Sequence, residues 1–183
     1  MSLEEVPSWS RRASGRIGLI AVAIAVTTLA NLIMVPMPKP LAEYDLSPVL
    51  IYAFGVLMRP VDSMVVIAVA QGIGTTIKAL NLGWPLVFIP GAIFVRGIEA
   101  PLIGLIARRG HGARGVGIAR REVVAMVVGV VWETVGFTVA DVALFGPAMA
   151  AITLLTIVDA VFIPVAIPVV VAVRRGLRAR WLT

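Results

Sequence analysis

Arg96 and Glu99 stand near the middle of Pro85–Arg109, PLVFIPGAIFVRGIEAPLIGLIARR, a stretch otherwise apolar and long enough to cross a bilayer. Three residues apart on a helix, the two charges share a face and can pair. A charge at the bilayer centre costs about 2.5–3.5 kcal/mol on insertion scales, so it is normally turned inward and used. Glu133 and Asp159 occupy comparable places in two later apolar stretches. Two chemistries fit these residues. They can line a polar ligand site inside a membrane bundle, or they can form a salt-bridge network in which Glu99, Glu133 or Asp159 neutralises Arg96 and locks the helices. Catalysis finds little support. The chain has no Cys and no GxxxxGK[ST] or HExxH motif. Its single histidine, His111, falls in an Arg/Gly-rich loop with no second ligand nearby. No catalytic residue, no metal site and no cofactor bound for catalysis is expected, and the chain does not read as an enzyme.

The elements that must position these charges follow from composition. Of 183 residues 60% are hydrophobic and 14% charged, with a mean hydropathy of +1.00. A soluble domain is nearer about 45–50% apolar and about 25% charged. The expectation is one all-α integral membrane domain over residues 1–183, a bundle of six transmembrane helices. Residues 1–15 read as an interfacial lead-in, followed by spans at about 17–35, 46–58, 61–79, 85–107, 123–144 and 148–173. Pro36, Pro38 and Pro40 close the first span, and 37–46 reads as a polar loop. The second span has only 13 residues, covering ~20 Å of a hydrocarbon core ~30 Å thick. Gly146-Pro147 breaks the chain between the last two spans.

Charge distribution orients the bundle. With six spans, thirteen arginines (11, 12, 16, 59, 108, 109, 114, 120, 121, 174, 175, 178 and 180) fall on the side of the termini, against Lys39 and Lys78 on the other. By the positive-inside rule both termini are cytoplasmic. The net charge of +6 therefore belongs to topology, and no nucleic-acid partner is expected. Arg96, Glu133 and Asp159 each lie twelve positions from a span boundary, ~18 Å in at 1.5 Å per residue. They converge near the midplane. On the fifth span Gly129, Glu133, Phe137 and Asp141 form one stripe climbing outward, with Trp132 beside it. Trp132, Tyr52, Trp84 and Phe137 can serve as aromatic walls. Asn31 and Gln71 read as interhelical hydrogen-bonding residues, and Ala21/Ala25, Ala68/Gly72 and Ala70/Gly74 as small pairs that let helices approach.

About 180 residues, six spans, an alanine pair in the first span and a short second span ending in a tight turn resemble the substrate-binding S components of energy-coupling factor (ECF) transporters. The resemblance is carried by AVAIA (Ala21–Ala25), SPVLIYAFGVLMRPVDSMVVIAVAQGIG (Ser47–Gly74), FIPGAIFVRGIEAPLIGLI (Phe88–Ile106) and VGFTVADVALFG (Val135–Gly146). The chain departs from the family at Arg59-Pro60, where Gly-Pro is frequent, and at Asp159, where an amide is common. The resemblance implies a binder of a vitamin or cofactor precursor in the cell membrane, working with a transmembrane coupling subunit and two cytoplasmic ATPases. It implies docking on the coupling subunit through Ala21 and Ala25, and a substrate site in the outer half. There Arg96, next to Glu99, would supply a donor fork for an anionic or carbonyl group. Glu133 and Asp159 would accept from ring N–H or hydroxyl groups, and Trp132 would offer a stacking face. Tyr52 is a further candidate, and residues 37–46 with Tyr44, together with Trp84, would form a lid. The small aromatic count does not favour a flavin.

Two other readings compete. A non-transporting six-span scaffold would have the same spans and a close-packed outer half. A solitary secondary transporter would carry an inverted repeat, and none is evident between the halves.

Overall fold

The computed structural model describes residues 8–35, 44–83, 85–108 and 117–181. Helices α1 (Ser8–Leu32), α2 (Ser47–Leu57), α3 (Pro60–Leu82), α4 (Phe88–Arg108) and α5 (Arg120–Phe145) follow in order. Pro147–Met149 is a 3₁₀ turn, α6 (Ala150–Thr153) a single α turn, Leu154–Phe162 a nine-residue 3₁₀ segment, and α7 (Ile163–Trp181) completes the bundle. Two dipeptides, β1 (Met34–Val35) and β2 (Tyr44–Asp45), pair antiparallel, Met34 with Asp45 and Val35 with Tyr44.

Among the described residues, five stretches are long and apolar enough to span a membrane: Ser14–Leu32, Pro60–Leu82, Phe88–Arg108, Arg120–Phe145 and Ala150–Gly176. The sixth, Ser47–Leu57, is a shorter apolar helix. The protein is thus a helical, multi-pass integral membrane protein. Its exterior agrees with that: Ile17, Val22, Phe94, Val135 and Val161 are all exposed, an apolar surface that water would not tolerate at this density.

Several features differ from the sequence expectation. Helix α1 begins at Ser8, inside the stretch read as a lead-in, and stops at Leu32 because the chain turns into β1. Asp45, read as part of a polar loop, is buried on β2. The last span is not one α-helix but passes through the 3₁₀ segment, where Tyr44 Oη donates to Leu155 O at 2.7 Å and Tyr52 Oη to Asp159 O at 3.3 Å. A 3₁₀ run of this length is uncommon.

Packing is close where glycines permit it. A Cβ on Gly104 would lie 2.9 Å from Gly55 O, and one on Gly55 would lie 2.9 Å from Ile103 Cβ. Helices α2 and α4 therefore cross nearly backbone to backbone. On α3, Gly74 faces Asn31 of α1, and Ala68 lies against Gly97 of α4. The pairs on α3 serve internal packing. The apolar core gathers Ile51, Tyr52 and Val56 of α2 with Ile67, Ile103, Met126, Val130 and Val170. Ile103 comes from the second half of α4, and Met126 and Val130 from the first half of α5. The complementary halves of those helices, and the end of α3, are left to build something else.

Candidate functional site

What they build is a cavity of about 340 Å³. Its wall takes Gln71, Thr75 and Lys78 from the end of α3, and Phe88, Ala92 and Arg96 from the start of α4. Phe137, Asp141 and Leu144 come from the end of α5, and Thr153, Thr156 and Asp159 from the broken segment. Tyr44 and Asp45 of β2, with Asn31 of α1, complete it. Antiparallel neighbours bring alternate helix ends to one level, so the end of α3, the start of α4 and the end of α5 meet around it.

Arg96 organises the floor. Its Nε donates to Glu133 Oε1 at 2.7 Å. Its Nη1 faces Ser47 Oγ at 2.9 Å, Gln71 Oε1 at 3.1 Å and Asp45 Oδ2 at 3.3 Å. Its Nη2 lies 3.9 Å from Asp159 Oδ2. Asn31 Nδ2 donates to Gln71 Oε1 at 2.7 Å, and Gln71 Nε2 to Ser47 Oγ at 2.9 Å. The guanidinium also stands over the Phe137 ring, 5.8 Å from its centroid.

Asp45 is the second hub. It receives Lys78 Nζ at 2.8 Å, and Ser47 N and Oγ at 2.8 and 2.5 Å. Burial alone would raise its pKa; Arg96 and Lys78 beside it outweigh that and hold it below the ordinary carboxylate value. Tyr44, on the wall, is shifted up by burial and by the acidic groups facing it, Asp159 and Glu133. It is a neutral phenol and a hydrogen-bond donor.

The residues singled out from the sequence separate into groups. Arg96, Asp159 and Tyr44 line the cavity. Glu133 lies behind Arg96, fully buried, with Oε2 unpartnered. Glu99 does not pair with Arg96: both its oxygens are buried without a hydrogen bond. Three residues on, it follows the helix down toward Gly129 and the core, while the Arg96 side chain is drawn to Glu133 and Asp45. Tyr52 is fully buried in the core. Trp132 does not line the cavity; its indole N–H donates to Val95 O at 2.9 Å, fixing α5 to α4. Phe137 and Phe88 join Tyr44 as aromatic rings on the cavity wall. Trp84, His111 and loop positions 37–43 lie outside the described residues. Ala21 and Ala25 are exposed on α1, away from the cavity. Among the described residues, no group of three or more acidic, His or Cys side chains is placed to hold a metal.

Sequence reading missed Asp45 and Lys78. Asp45 read as loop polarity and Lys78 as an outer-side charge, yet each is 5% exposed. A lysine in the last turns of an apolar span was the available signal, because such a charge is expensive unless paired.

A family model described as the ECF-type riboflavin transporter, S component, matches residues 14–174. The chain belongs to this family. It is the substrate-binding subunit of an ECF transporter and not an enzyme, and membership implies association with ECF coupling and ATPase modules and a small-molecule substrate. No curated protein and no solved structure matches the chain.

Proposed function

We propose that this S component binds a vitamin or related small water-soluble heterocycle in the cavity above Arg96 and delivers it across the cell membrane. Riboflavin, named in the family's description, is the first candidate. The observation that carries the reading is the cavity itself. At about 340 Å³ it falls within the range of ligand pockets, roughly 300–1,000 Å³. It also lies over a polar floor, where a scaffold would be close-packed. Six spans with both termini cytoplasmic, counting α2 as the short second span, would put this cavity on the outer side. A coupling subunit would dock on the face of α1 that carries Ala21 and Ala25, and cytoplasmic ATPases would drive the cycle.

The test is native mass spectrometry of the protein purified from its own membranes, with denaturing release of anything bound, followed by titration with riboflavin. Release of a heterocycle, or saturable riboflavin binding, is expected. An empty protein that also ignores riboflavin, with Arg96→Ala merely destabilised, would move the assignment to a scaffold held by salt bridges.

A further inference from the structure

The floor of the cavity is arranged to read hydrogen bonds and not charge. Three carboxylates face the single guanidinium of Arg96: Glu133 at 2.7 Å, Asp45 at 3.3 Å and Asp159 at 3.9 Å. Lys78, the other cation on the wall, is paired with Asp45 at 2.8 Å. An anionic ligand entering here would meet a cation already neutralised and would stand beside Asp159, so like-charge repulsion disfavours it.

What the cavity does offer is a donor beside an acceptor. Arg96 commits Nε to Glu133 and Nη1 to Ser47, Gln71 and Asp45, while Nη2 makes no hydrogen bond among the described residues. Asp159 Oδ2 stands next to that Nη2, 3.9 Å away. This separation is too long for a hydrogen bond between them. Both residues line the cavity, and the Phe137 ring that stacks on the guanidinium lines the same wall. The two positions are also fixed: Arg96 by its other donors, and the Asp159 backbone by Tyr52 Oη at 3.3 Å.

We propose that Arg96 Nη2 and Asp159 Oδ2 together read a neutral amide-type edge of the ligand, a ring carbonyl beside a ring N–H. Arg96 donates to the carbonyl and Asp159 accepts from the N–H, which makes Asp159 the residue that rejects N-alkylated analogues. The inference rests on the vitamin-binding reading and names the chemistry of that site. Riboflavin carries such an edge in its imide, where N3–H lies between two carbonyls.

The experiment alters the ligand and leaves the protein intact. Riboflavin and 3-methylriboflavin are titrated against the full chain in lipid nanodiscs by flavin fluorescence. A methyl on N3 removes the donor and leaves Asp159 facing an apolar group, so binding should weaken on the order of 100-fold or more. In Asp159→Ala the acceptor is gone, and the difference between the two flavins should collapse toward unity. Equal affinity of the two flavins for the wild-type chain would overturn the inference and leave vitamin binding standing. So would a methyl penalty that persists undiminished in Asp159→Ala. Binding of neither flavin would overturn the reading beneath it, and the inference with it.

Discussion

Removing one partner from a buried ion pair leaves the others uncompensated, which is worse than never having built the pair. Arg96 has Glu133, Asp45 and Asp159 around it. Arg96→Ala should therefore lower stability by about 3–5 kcal/mol, read as a drop in Tm in detergent. Glu99 gives the opposite expectation. It is fully buried, and neither oxygen has a hydrogen-bond partner among the described residues. Glu99→Gln keeps the shape and breaks no hydrogen bond, so its Tm should match or exceed that of the wild type. A fall as large as that of Arg96→Ala would show that Glu99 is held by a partner after all. The i, i+3 spacing of the two residues is plain in the sequence, but spacing sets only which partners are reachable. Glu99, Glu133 and Asp159 were the carboxylates the sequence offered Arg96; the tertiary arrangement set aside Glu99, kept Glu133 at 2.7 Å, added Asp45 at 3.3 Å and left Asp159 at 3.9 Å.

At the scale of elements, side chains can reach across the bundle because the helices approach so closely. The tightest approach is that of α2 and α4, where Gly55 and Gly104 meet. A methyl at position 55 would fall 2.9 Å from Ile103 Cβ and Cγ2 and 3.0 Å from Ala100 O. Ile103 Cβ is attached to the backbone and cannot step aside. Gly55→Ala should force the helices apart at a cost of about 1–3 kcal/mol, measurable as a lower Tm. An unchanged Tm would mean that the crossing is looser than described. The short α2 needs this contact, since eleven residues cover only ~16 Å of bilayer. Its burial against α4 and the core replaces the lipid-facing length it lacks. The broken segment before α7 is the other unusual element. Apart from Thr156 and Asp159 the segment is apolar, and neither residue distinguishes 3₁₀ from α geometry there.

For the whole molecule, core and cavity have separate duties. The apolar core packs the helices together, and the cavity above Arg96 gathers the polar groups. Around them α1 contributes a largely exposed strip, with Ala21 and Ala25 on it. If a coupling subunit docks there, leucines at both positions (Ala21→Leu with Ala25→Leu) should abolish co-purification with that subunit. Ligand affinity should stay as it was, because neither residue lines the cavity. Loss of both properties together would place the alanines in the folding of α1 itself.

Membrane class and the convergence of Arg96 with Glu133 and Asp159 were readable from composition, helical rise and charge placement. Those quantities depend on position along one axis, and a sequence encodes that axis directly. The family resemblance was readable too, through small and apolar patterns that the family match supports over residues 14–174. Direction around each helix was not. Trp132 turned to α4, Tyr52 entered the core, and Asp45 and Lys78 came in from the ends of their elements to complete the floor of the site. Which face a side chain presents depends on how neighbouring helices cross. That crossing is settled by contacts such as Gly55 on Gly104 and Gly74 on Asn31, between residues far apart in the chain. Depth belonged to the sequence, and partnership to the packed bundle.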